Sequence, residues 1–362
     1  MLVAMAADFL RQESPRIFVR EMEKHERGFT PELWQKIAEV GWLGLIVPEE
    51  YGGTGQTFLD LGLLMEEVGR HLLPGPFFET ALTSVILLEA GSDDQKKKFL
   101  PMLAEGNLIG TFGVAEPYSK LDPAGIQLQA TQQDGSFTLN GTKIFVPYAH
   151  TADYLLFPAR TGQGTEDITV FLVDARTDGV NIERLETIGS DFQCEVRLTN
   201  VSVPAANVLG EVNKGWPIAW SAIKKGAALR SAQMSGALQV VLEMTVEYLK
   251  NRVAFGRPIG TFQALQHYAA NMAMDTEGCK YITYQALWSL DENLDSELEV
   301  AAAKAWVSDA AKRIAVTAHQ SHGAIGFTEE YDLQLYTRRL KVWETSFGDS
   351  EFYRERVADM TI

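Results

Sequence analysis

Over its last 146 or so positions the sequence runs in long stretches with helical spacing and few breakers: 217–252, 261–290, 296–320 and 333–359. Helices of that length with short connections bury their apolar faces most simply against one another, so a bundle is the expected architecture. Upstream the period changes. From about 111 to 212 the apolar spacing falls to two, with Ile126, Leu128 and Ala130 alternating against polar neighbours, then Phe137 and Leu139. Further strands are expected over 154–157, 168–173 and 195–198, with Asp134-Gly135 and Asn140-Gly141 as hairpin turns. Short antiparallel strands at this spacing predict a small barrel or sandwich. Before 111 the texture is helical again. Thr30 caps a helix with Pro31 at its first position and Leu33, Ile37 and Val40 on one face. The Pro and Gly residues between Val47 and Gly55 stop that run, a second helix follows over about 59–70, and Ser92 with Gln95 forms a capping box. The expected fold is therefore α+β: an N-terminal helical domain (1–110), a middle antiparallel β-barrel or sandwich domain (111–212) and a C-terminal four-helix bundle (213–362).

Charge and composition narrow the function. Forty-eight acidic against 32 basic residues leave a net charge of −16, which argues against nucleic acid or an anionic membrane as partner, since both attract a basic field. Cys194 and Cys279 stand alone, without metal or redox spacing, and no apolar run is long enough to span a membrane. The chain opens on a helical sequence with no capping residue and no signal-peptide pattern. A soluble, cytoplasmic protein is expected.

Isolated candidates for chemistry decide little. His319 and His322 are neighbours on a helix, but no suitably spaced carboxylate completes a metal site, so none is expected. Gly323-Ala324-Ile325-Gly326 suits either a phosphate or an ordinary helix stop. In combination the motifs are specific. Arg252-Val253-Ala254-Phe255-Gly256-Arg257-Pro258-Ile259-Gly260-Thr261-Phe262-Gln263, then Gln320-Ser321-His322-Gly323-Ala324-Ile325-Gly326-Phe327 about sixty residues later, and Glu116-Pro117 near the first strand together resemble the acyl-CoA dehydrogenase family. The resemblance covers nearly the whole chain, and the order helical, β, helical is also the family's.

That resemblance implies FAD, acyl-CoA as substrate, an electron-transfer flavoprotein as acceptor, and a homotetramer or a heterotetramer with a related subunit, because FAD in this family reaches a neighbouring bundle. Arg252 would bond the pyrophosphate and Phe255 would face an aromatic edge of the cofactor. Gln263, Gln320, Gly323, Ala324 and Gly326 fall on the remaining contact positions. At the flavin, hydroxyl residues common in the family are replaced by Ala115, by Lys120-Leu121-Asp122 and by Phe145-Val146-Pro147, which leaves backbone at Val114, Ala115 and Val146, with Phe145 alongside. Pro147 has no N–H to give.

The proton acceptor departs further. Aligned through Glu330-Tyr331 and Arg338, Phe347 stands at the family's usual glutamate; the alternative position on the first bundle helix is Gly226, followed by Ala227. Asp349, in Phe347-Gly348-Asp349, is the first candidate base, and Glu79 the second. Three readings stay open: an FAD-dependent acyl-CoA dehydrogenase with a displaced base, a non-catalytic or half-site subunit of a heteromeric dehydrogenase, and a flavin oxidase or monooxygenase relative. The acyl group is left open.

Overall fold

The computed structural model describes residues 1–361. Six helices come first: α1 (Leu2–Glu13), α2 (Arg16–Glu23), α3 (Pro31–Glu39), α4 (Phe58–His71), α5 (Phe77–Ala90) and α6 (Asp93–Ala104). Their starts follow the sequence. The Thr30 hydroxyl accepts from the Leu33 N–H with Pro31 in the first turn, and Ser92 with Gln95 makes a reciprocal capping box. The strands are β1 (Gly110–Phe112), β2 (Gln129–Gln133), β3 (Ser136–Pro147), β4 (Tyr154–Arg160), β5 (Ile168–Asp174), β6 (Val180–Arg184), β7 (Gln193–Pro204) and β8 (Val208–Leu209). They form one sheet in the order β6-β7-β3-β2-β4-β5-β8, with β1 parallel to β4. Its interior holds Leu139, Phe157, Phe171 and Val196, all fully buried. Asp134-Gly135 does turn β2 into β3, but Asn140-Gly141 lies inside β3. Its pairing with β7 shifts register between Leu139 and Gly141, so the dipeptide marks an irregularity in a long strand and not a turn.

The C-terminal region comprises α7 (Gly215–Asn251), a two-stranded loop of β9 (Val253–Ala254) and β10 (Arg257–Pro258), α8 (Gln263–Asp291), α9 (Glu297–His322), α10 (Leu333–Thr345) and α11 (Ser350–Thr361). The stretch expected as one helix over 333–359 is two. Phe347 and Gly348 both take positive φ, 58° and 99°, which no α-helix admits, and Asp349 restarts the chain as α11. A continuous hydrophobic core runs from the N-terminal helices across α5 and α7 to the inner face of the sheet, and the candidate site lies along that seam. No helix among the described residues is long and apolar enough to cross a membrane.

Candidate active site

A cavity of about 390 Å³ opens between the sheet and the bundle, bordered by Val114, Ala115, Phe145 and Pro147 on one side and by Arg230 and Phe347 on the other. On the sheet side, Glu116 fixes the segment after β1. Its buried carboxylate accepts from the Gln127 and Leu128 N–H groups at 2.7 and 3.0 Å and from Lys143 Nζ at 2.6 Å. Burial pulls the Lys143 ammonium down and Glu116 opposes that shift, so this pair is structural. The Gly113 N–H bonds the Leu156 carbonyl, and the Ala115 carbonyl accepts from Ile144 at 3.0 Å. The N–H groups of Val114 and Ala115 have no partner among the described residues. Phe145 bulges from β3 with φ 54° and is 58% exposed. The Val146 side chain is fully buried in the sheet, and the residue does not border the cavity.

On the bundle side, Phe347 fills a socket made by Gly226. A Cβ at position 226 would come within 2.9–3.0 Å of three carbons of the Phe347 ring. The two departures are one packed unit, since a glycine is required where the ring approaches α7. The turn carrying Phe347 is tied down by buried Lys304, whose Nζ donates to the Glu344 and Gly348 carbonyls at 2.6 and 2.8 Å and to Ser308 Oγ at 3.2 Å. Tyr353 Oη bonds the Phe347 carbonyl at 2.9 Å. Asp349 has a different place. Its Oδ1 accepts from the Phe352 N–H at 3.0 Å as the cap of α11, and it borders neither this cavity nor the adjoining cleft.

Glu79, by contrast, lies beside the site. It borders a narrow cleft adjoining the cavity and pairs at 2.9 Å with Arg230, which borders both spaces. Arg230 also donates to Gln233 Oε1 at 2.5 Å and stacks its guanidinium 3.5 Å from the Phe78 ring centre. Burial pushes the Glu79 carboxyl up from its ordinary range, with Arg230 opposing. Sequence reasoning missed Arg230. The signal was present: a single charge within Gly226-Ala227-Ala228-Leu229-Arg230-Ser231-Ala232, where every neighbour is small or apolar.

The two motif segments meet at one end of the bundle. Tyr248, near the end of α7, stacks on His322 at the end of α9 with ring centres 4.4 Å apart. Beyond it Arg252 is exposed and makes no ion pair among the described residues, and Phe255, at φ 54°, is 94% exposed. Gln263, Gln320, Gly323 and Ala324 are exposed as well, whereas Gly326 is buried against His319 and His322. The histidine rings are already engaged, His319 with Thr337 and His322 with the Ala318 carbonyl, and no group able to hold a metal occurs among the described residues.

Three family matches tile this chain: acyl-CoA dehydrogenase N-terminal domain over residues 1–107, middle domain over 111–201 and C-terminal domain over 213–361. The chain belongs to the acyl-CoA dehydrogenase family. An acyl-CoA dehydrogenase of Bacillus subtilis is 33% identical over 98% of this chain and 95% of its own. The caffeyl-CoA reductase-Etf complex subunit CarC of Acetobacterium woodii is 28% identical over 100% and 97%. Among solved structures, a chain of the ChsE4-ChsE5 complex from Mycobacterium tuberculosis superposes with a TM-score of 0.91 at 28% identity, covering 99% of this chain and 95% of that one. Acyl-CoA dehydrogenases are FAD flavoproteins that oxidise a CH–CH bond, and the residues here suit that cofactor. Two unpaired backbone N–H groups border the cavity, and an unpaired arginine and an almost fully exposed aromatic ring stand on a ridge at the end of the bundle.

Proposed function

We propose that this acyl-CoA dehydrogenase carries out α,β-dehydrogenation of an acyl-CoA thioester and passes the electrons to an electron-transfer flavoprotein, with Glu79 as the acceptor of the α proton. When bound, FAD supplies the hydride acceptor for the β hydrogen. The Val114 and Ala115 N–H groups would hold the flavin edge, and Arg252 with Phe255, from a neighbouring chain, would hold the far end of the cofactor. The observation that carries the assignment of the base is position: of the two candidate carboxylates, only Glu79 lies beside the cavity, in the cleft that adjoins it, where Arg230 at 2.9 Å opposes the effect of burial. Burial raises its basicity, which favours proton uptake. The Etf-complex relative supports the acceptor, and the bacterial relatives support a cytoplasmic setting. Glu79→Gln is expected to lower kcat by about 10²–10⁴-fold while FAD and acyl-CoA stay bound. Asp349→Asn is expected to leave both kcat and stability nearly unchanged, because asparagine caps a helix about as well as aspartate. The reverse pattern would sink the assignment.

One observation favours a second reading. The Phe347 ring in the Gly226 socket makes the family's usual base site apolar, as suits a subunit that completes the FAD site of a related chain in a heteromer. That arrangement gives one FAD per two chains.

A further inference from the structure

The cleft that adjoins the 390 Å³ cavity is small, about 50 Å³, and the two spaces share Asp191, Gln193 and Arg230. The cleft gathers Glu79, Arg230, Asp191, Arg339, Gln193 and Tyr148. Its two carboxylates balance its two guanidiniums, so the site is formally neutral. Two buried polar atoms there have no hydrogen-bond partner among the described residues: the donor Arg230 Nε and the acceptor Gln193 Oε1. The Gln193 amide is held in place because its Nε2 donates to Asp191 Oδ2 at 2.6 Å. Arg230 is 6% exposed and uses two of its five N–H bonds, one to Glu79 and one to Gln233. Tyr148 Oη accepts from the Gly75 N–H at 3.1 Å, and burial pushes its pKa up to about 12, so it keeps its own hydrogen.

An unpaired buried donor or acceptor costs about 1–3 kcal/mol, and a site built around such groups rejects analogues that leave them unpaired. A plain alkyl tail across this cleft would do that. A carboxylate would add a third negative charge to a balanced set. A hydroxyl or keto oxygen satisfies both constraints. The geometry points to a substrate whose acyl group carries a neutral oxygen function, a hydroxyl or a carbonyl, beyond the reacting α and β carbons, bound by Arg230 with Gln193 and Tyr148. Arg230 pairs at 2.9 Å with Glu79, so the oxygen lies within a few carbons of the one from which Glu79 takes its proton. This specificity rests on the acyl-CoA reading.

The test is calorimetric titration of the FAD-loaded protein with six- and ten-carbon straight-chain acyl-CoA esters, the same esters with a terminal hydroxyl or penultimate keto group, and the matching terminal carboxylates. The oxygenated ester of one length is expected to bind at least about tenfold tighter than its alkyl counterpart, an advantage of about 1.4 kcal/mol, and Arg230→Met is expected to erase that advantage. Because Arg230→Met strands the Glu79 charge, the double variant Glu79→Leu with Arg230→Met serves as the folded control and is expected to erase it too. Equal affinity for alkyl and oxygenated esters overturns the inference, as does tightest binding by a carboxylate. Binding of none of the esters overturns the acyl-CoA reading itself.

Discussion

The ridge at the end of the bundle and the seam beneath the sheet are built on opposite principles. On the ridge, Arg252, Phe255, Gln263 and Gln320 stand exposed and touch little of their own chain. In the seam, Phe347, Gly226, Lys304, Arg230 and Glu79 are fixed by one another. A residue that faces a partner outside the chain is constrained by that partner's chemistry and keeps a motif. A residue that faces the interior is constrained by its neighbours and changes in concert with them.

The contrast can be broken from either side. The largest expected effect is on the ridge: Arg252→Ala weakens FAD binding by about 1.5–3 kcal/mol, the range of a charge-assisted bond, while leaving the melting temperature of the apoprotein unchanged. Equilibrium dialysis of FAD beside thermal unfolding reads both numbers, and a lowered apoprotein Tm would show that the ridge is structural after all. In the seam the pattern reverses. Gly226→Val drives a side chain into the Phe347 ring and costs about 1–3 kcal/mol of stability. Combined with Phe347→Ala, the loss is smaller than the sum of the two single changes, because the pair fills one volume. Strict additivity in urea unfolding would separate the two residues.

A smaller, pH-dependent effect sharpens the seam further. Burial lowers the Lys304 ammonium to about 7 in the folded chain, with Glu344 and Asp349 opposing the shift, whereas an unfolded lysine holds its proton to about 10.4. Between those values the unfolded state binds one more proton, so this group makes stability rise with pH by roughly 1.4 kcal/mol per unit. The contribution is complete above the unfolded pKa and lost as pH falls through the folded one. Lys304→Met is expected to flatten the unfolding free energy by that slope between about pH 7.5 and 9.5. Parallel curves for the two proteins would mean that Lys304 stays charged throughout.

Legibility in the sequence followed the same division. Local chemistry was readable: the caps at Thr30 and Ser92, the turn at Asp134-Gly135, the change of period at the sheet and the ridge motifs. Asn140-Gly141 misled because a turn dipeptide and a strand irregularity call on the same backbone freedom, and only pairing with β7 distinguishes them. The break between α10 and α11 had a local sign in Gly348 followed by Asp349, a helix stop and a helix start. The same order favours a capping role for Asp349, which is the contact it makes. The socket that Gly226 makes for Phe347 and the ion pair of Glu79 with Arg230 join positions more than a hundred residues apart, and no local pattern announces them.

Whether the ridge serves a second copy of this chain or a different one is decided by the FAD-to-chain ratio of the protein purified alone, measured by flavin absorbance after denaturation against amino-acid analysis. A dehydrogenase complete in itself, with Glu79 as its base, gives one FAD per chain, and that FAD bleaches when a dehydrogenable acyl-CoA is added without oxygen. Half an FAD per chain or none, with bleaching only after a related subunit is supplied, would contradict it and assign catalysis to the partner.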